Sequence, residues 1–148
     1  MVDNSAVDSI DYGVLGELIG YRLRRAQLAY FSRFANFRGD WGVSLGLFGV
    51  LEIVNKNPGL TQTAVAQALG NDRSAMVAII DKLEKMKLVE RRQSELDRRS
   101  YALYLTPEGK KCCQEITLKV IESETSFESK LKPGDKERLM EILKCLPS

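Results

Sequence analysis

Histidine is absent from the 148 residues. That removes His general bases, Ser-His and Cys-His nucleophile pairs, and nearly all catalytic zinc arrangements. Cysteine is scarce: Cys112, Cys113 and Cys145 are the three present. An odd number in a chain without an export signal points to reduced thiols. The adjacent pair matches no metal-ligand spacing, so neither metal nor cofactor is expected. On a helix these two side chains point about 100° apart, so at most one is expected to face inward. There is no Gly-rich phosphate loop and no paired-carboxylate motif, and an enzyme is not expected. No stretch approaches the roughly 18 uninterrupted apolar residues that span a bilayer. The N-terminal MVDNSAVDSIDY is acidic and polar, without the basic start and apolar run of a secretory signal. A cytoplasmic protein with no membrane partner is the expectation.

What is present reads as a soluble globule: 44% hydrophobic, 28% charged, and long enough for one compact domain or a small core with arms. The net charge of +2 is unevenly spread. Between residues 13 and 38, Arg22, Arg24, Arg25, Arg33 and Arg38 face a single Glu17. Such asymmetry points to an anionic partner, with a solvated helix face as the plainer explanation.

The same segment reads as one long helix over 13–38. Leu15, Ile19, Leu23, Ala26, Tyr30, Phe34 and Phe37 form one apolar stripe, and Leu18, Tyr21, Leu28, Phe31 and Ala35 a second. A helix apolar on two faces needs two surfaces to pack against, and a second subunit can supply one. After Gly39-Asp40, Ser44 can cap a helix carrying Leu47, Phe48, Leu51 and Val54. Thr61 can cap a short helix stopped by Gly70, and Asp72 the next, where Met76, Ile79, Ile80, Leu83 and Met86 hold helical spacing. These two make a helix-turn-helix candidate. Residues 88–92 and 101–105 read as the strands of a hairpin, which must lean on helices for stability. Thr106 and Pro107 begin another helix, with Cys113, Ile116, Val120, Phe127 and Leu131 on one stripe. Lys132-Pro133-Gly134 interrupts it before a last helix bearing Leu139, Ile142, Leu143 and Leu146.

The order helix, helix-turn-helix, hairpin, helix is that of a winged helix with helical arms. Three stretches carry a resemblance to the MarR family of bacterial transcription regulators: LTQTAVAQALG (60–70), DRSAMVAIIDKLEKMKLVERR (72–92) and DRRSYALYLTPEG (97–109). The last is the most specific: Asp-Arg-Arg, five intervening residues, then Leu-Thr-x-x-Gly. The fold class expected is mainly α with a small antiparallel β-hairpin. Residues 39–105 would form the winged helix-turn-helix DNA-binding domain, and 1–38 with 106–148 the dimerisation region. The resemblance implies a homodimer, a pseudo-palindromic operator in double-stranded DNA, and release by a small ligand. It also implies that Asp97 holds Arg99 in the wing.

A recognition helix places its N-terminal residues nearest the bases. Arg73 can pair with guanine, and Ser74 can bond to a base or phosphate. Ala75 and Ala78 let the helix sit deep and can touch thymine methyls. Lys82 lies further along the same outer face, with Val77 and Asp81. The family pattern is polar near 75, 77 and 78, and this sequence departs from it there. Arg98 and Arg99 would reach the minor groove or flanking phosphates, with Asp97 fixing an arginine by a charge-assisted hydrogen bond. Arg91 and Arg92 would add charge at the base of the hairpin. Thr61 and Gln62 could meet a phosphate at the start of their helix.

Arginines beside aromatic rings suit a small aromatic anion. Arg22, Arg25, Tyr30, Phe34 and Trp41 are the candidate effector residues, between the first helix and the winged-helix core. Two other readings use the same scaffold: a thiol-based redox sensor, and an effector-independent architectural DNA-binding protein.

Overall fold

Ser44, Thr61, Asp72 and Thr106 each accept, through a side-chain oxygen, the backbone N–H three residues on. Each satisfies an otherwise orphaned donor and sets a helix start. The helices are α2 (Leu45–Lys56), α3 (Gln62–Leu69), α4 (Arg73–Lys85) and α5 (Pro107–Glu128). Gly70, in the left-handed region at φ 66°, ends α3 as expected. A computed structural model describes residues 10–34, 41–94 and 100–146, the side chains of 33 and 34 excepted.

The first segment is not one continuous helix. A 3-10 helix covers Gly13–Glu17, Leu18 is extended, and α1 runs Ile19–Phe34. Gly13, Gly16 and Gly20 explain the break, since each glycine costs a helix up to about 1 kcal/mol against alanine. Gly13 sits at φ +50°. Arg22 Nε donates to the Gly16 carbonyl (3.0 Å), pinning the 3-10 turn against α1.

The hairpin comprises β1 (Val89–Gln93) and β2 (Tyr101–Leu105), antiparallel, with Val89 opposite Leu105 and Gln93 opposite Tyr101. A third segment completes it. Gly59 N–H donates to the Leu103 carbonyl (2.9 Å), and Leu103 N–H donates to that of Leu60 (2.9 Å). A bridge pairs Thr61 with Ala102, so β2 is flanked on both sides. The hairpin also rests on the core through Leu88, Val89, Leu103 and Leu105.

That core gathers Val43, Leu47, Val50, Leu51 and Val54 from α2 and its approach, Val65 from α3, and Met76, Ile80 and Leu83 from α4. Cys112, Cys113 and Ile116 join it from α5. Both adjacent cysteines are buried, against the expectation that at most one would be. The first turns of α5 are covered on two sides, by α2 and by the hairpin, so directions about 100° apart both point inward. Cys113 Sγ donates to Glu52 Oε2 on α2 (3.2 Å). Burial pushes the Cys112 thiol up to about 11, and burial together with Glu52 pushes that of Cys113 up to about 12. Thiolate is the reactive form, so both are poor redox sensors. Cys145 is exposed on the chain's last helix, α6 (Asp135–Lys144), at its C-cap.

Gly109 explains the most specific motif. A Cβ there would lie 1.9 Å from the Leu88 carbonyl oxygen. Thr106 works beside it: its hydroxyl donates to the Lys87 carbonyl (2.6 Å) and accepts from Gly109 N–H (2.9 Å). Its own N–H donates to the Leu88 carbonyl (3.1 Å). Leu-Thr-x-x-Gly is therefore the docking sequence of α5 on the turn that leads into β1.

Neither α1 nor α6 contributes a residue to the core among those described. No helix among the described residues is long and apolar enough to cross a membrane. No described group of His, Cys, Asp and Glu could hold a metal ion.

Two outcomes follow from this packing. Gly109→Ala forces backbone apart and should lower unfolding stability by about 2–3 kcal/mol, read as a lower urea midpoint. In the native protein at about pH 8, Ellman's reagent should modify one thiol, Cys145, quickly, and the other two only on unfolding.

Candidate nucleic-acid interface

On α4, Met76, Ile80 and Leu83 face the core, while Arg73, Ser74, Ala75, Val77, Ala78 and Lys82 are exposed. The outward row is thus as the periodicity predicts. Asp72 organises its start: the carboxylate accepts from Ala75 N–H (2.7 Å) and from the Ser74 hydroxyl (2.6 Å). These bonds, the backbone one first, hold the Asp72 carboxyl below its ordinary value. The Ser74 hydroxyl proton is therefore engaged: donating to a phosphate means giving up that bond, while its oxygen can still accept from a base. Arg73, Lys82, Lys85 and Lys87 form no ion pair among the described residues. Free cations beside small side chains are what an element entering a major groove requires.

Thr61 caps α3 as expected, its oxygen accepting from Ala64 N–H at 3.2 Å, and this does not exclude a phosphate contact. Arg91 is engaged within the protein. Its guanidinium donates to Asp81 Oδ1 (2.7 Å), to Glu84 Oε2 and to Gln62 Oε1 (3.0 Å). The side chain keeps 22% of its exposure, and two carboxylates neutralise it. Gln62 is committed to the same network. Sequence spacing held a signal for this: Asp81 and Glu84 are three apart on α4, and Arg91, two residues after core-facing Val89, shares its face of β1.

Arg92 lies on the other face of the hairpin, which follows from its pairing with Ala102. There its Nε donates to Glu90 Oε1 (2.8 Å) and its guanidinium stands 4.4 Å from the centre of the Tyr104 ring. Asp97, Arg98 and Arg99 lie outside the described residues. The strands leading to them stay paired as far as Ser94 N–H and the Ser100 carbonyl (3.0 Å).

The expected effector residues fall in two places. Arg22 and Arg25 line a cavity of about 190 Å³ with Tyr12, Gly16 and Tyr21. Arg25 donates to the Tyr21 hydroxyl (3.2 Å), and the Tyr12 and Tyr21 rings are 5.9 Å apart. Tyr30 and Trp41 are bonded to α5 instead. Tyr30 donates to Glu124 (2.5 Å) and meets Phe127 edge-on, and Trp41 Nε1 donates to Glu115 (2.6 Å). Burial and the Glu124 carboxylate push the Tyr30 phenol up to about 12. Phe34 ends α1, and its side chain lies outside those described. Helical spacing did not disclose the acids of α5, which are 94 and 74 residues away in sequence. Tyr12, missed as a candidate, is the aromatic partner that the arginines have instead.

Comparison with known proteins agrees with this architecture. A model of the MarR family matches residues 41–100. A putative transcriptional regulatory protein for the hcr operon of Thauera aromatica is 35% identical, covering 97% of this chain and 87% of its own. The transcriptional repressor CouR bound to a 23-mer DNA duplex is 33% identical, with a TM-score of 0.85, over 93% of this chain and 98% of that one. CouR bound to p-coumaroyl-CoA is 31% identical, with a TM-score of 0.82, over 92% and 96%. The capped α3–α4 pair, the flanking wing and these relationships lead to one conclusion: the chain belongs to the MarR family, as a DNA-binding transcription regulator.

Proposed function

We propose that this regulator is a homodimeric repressor of a pseudo-palindromic operator, released by a small organic anion with an aromatic part. The observation that carries the dimer is the uncovered apolar surface outside the winged-helix core. Leu15, Leu18, Ile19 and Leu23 at one end, and Leu139, Ile142, Leu143 and Leu146 at the other, are all exposed. Leu118 and Ile121 on α5 add to it. Rows of exposed apolar side chains of this kind suit an interaction surface, and a second copy offers the same rows in return.

In DNA binding, α4 enters the major groove. Arg73 pairs with a base, Ala75 and Ala78 allow close approach, and Lys82 meets a phosphate. Arg98 and Arg99 reach a minor groove or its phosphates, held by Asp97. Because Ala75, Val77 and Ala78 offer few hydrogen bonds, duplex shape carries part of the specificity.

The effector site lies within the first helical segment, between the 3-10 turn and α1, rather than between that segment and the core. Arg22 and Arg25 supply charge, with Tyr12 and Tyr21 as rings. CouR, solved with p-coumaroyl-CoA, gives this proposal a related precedent: an aromatic acyl group on an anionic carrier. The cavity of about 190 Å³ fits one end of such a ligand rather than the whole. The ligand needs only a higher affinity for the spacing of recognition helices that misfits DNA.

Arg73→Ala should weaken operator binding by about 1–3 kcal/mol and relax preference at one base position. Arg99→Ala should weaken binding to all duplexes and lower the salt dependence; an unchanged slope would remove the wing from the interface. Aromatic acids and their thioesters, titrated into the operator complex, should release wild type but not Arg22→Ala or Arg25→Ala. Release by neutral compounds as effective as by anions would contradict the anion site.

A further inference from the structure

Arg91 stands where α3, α4 and β1 meet. One terminal nitrogen donates to Asp81 on α4 and to Gln62, the first residue of α3; the other donates to Glu84 on α4. Its backbone N–H donates to the second oxygen of Glu84 (3.0 Å), so β1 is tied to α4 by main chain as well. A guanidinium is planar, always charged, and holds its donors in a fixed fork, so partners on two helices must keep their relative placement.

We propose that Arg91 is a positioning residue for DNA recognition: it fixes α4 against α3 and the base of the wing, and does not itself contact DNA. This rests on α4 being the recognition helix. The charge balance supports it. Among the described residues, two carboxylates surround one cation, so this trio is net negative and repels phosphate. The half-buried setting lessens screening by salt, which keeps the pairs effective where exposed ones would fade. A helix that reads few base edges by hydrogen bonds depends all the more on its angle in the groove. Arg92, next along the chain, is on the opposite face and has no part in the network.

The two roles for Arg91 predict opposite effects at Asp81. If Arg91 touched phosphate, Asp81→Asn would release the guanidinium, remove a repulsive charge, and tighten DNA binding. If Arg91 positions α4, the same change loosens the helix and weakens specific binding. The probes are the duplex that wild type selects from a random pool, and poly(dI-dC) as the non-specific reference. Each is titrated over a salt series with wild type, Asp81→Asn, Glu84→Gln and Arg91→Gln. Loss on the order of tenfold on the selected duplex is expected for all three variants, the scale of one misplaced base contact. Poly(dI-dC) affinity should move little, and the salt slope should be kept. Asp81→Asn and Arg91→Gln should combine non-additively, since they break one network. Tighter or unchanged binding by Asp81→Asn, or a slope lower by about 0.9 per lost phosphate contact in Arg91→Gln, overturns the proposal. If Arg91→Gln fails to fold in a thermal melt, Asp81→Asn decides alone, because it leaves the arginine in place. A wild type that prefers no duplex over poly(dI-dC) defeats the recognition-helix reading instead.

Discussion

Among the described glycines, the tightest approach is between two backbones. Gly109, in the first turn of α5, lies so near the Leu88 carbonyl that no side chain fits between them. Thr106 bonds to the Lys87 and Leu88 carbonyls at the same place. Lys87, at φ 57°, makes the turn there between α4 and β1. The end of α4, the start of β1 and the start of α5 thus share one junction. The direction of α4 relative to both neighbours depends on it. A dimer built through the helical arms would transmit its geometry to α4 through the same junction, since α5 is the element common to core and arm.

Around that junction, charge is divided by purpose. Arg91 is neutralised by Asp81 and Glu84 and ties elements together. Arg92 is paired with Glu90 and lies over Tyr104. Arg73 and Lys82 form no ion pair among the described residues. Between 71 and 99, eight basic residues face six acidic ones. Several of those acids offset cations inside the protein instead of lying on the interface. A nearly neutral chain can therefore still present a cationic face to DNA, as field and contact depend on arrangement more than on the total.

Much of this was legible in residue order. The helix starts at Ser44, Thr61, Asp72 and Thr106 followed from capping chemistry, which is local, and the structure has each one. The exposed row of α4 followed from period 3.6. The break at Leu18 was less visible because the apolar stripes of 13–38 run through the glycines. Burial of both Cys112 and Cys113 could not be read from helix geometry alone, because it depends on α2 and the hairpin covering α5 from two sides. The bonds of Tyr30 to Glu124 and of Trp41 to Glu115 are long-range pairings that no periodicity marks. The charge of Arg91 is visible in sequence, whereas its partners Asp81, Glu84 and Gln62 come from other elements and are not.

The central claim is that two copies of the chain place two α4 helices into successive major grooves on one face of a duplex. Hydroxyl-radical footprinting of the wild type on its selected duplex measures this directly. Two symmetric protected patches, centred about 10–10.5 base pairs apart or a multiple of that, are expected. A single protected patch, or uniform protection along the duplex, would contradict it.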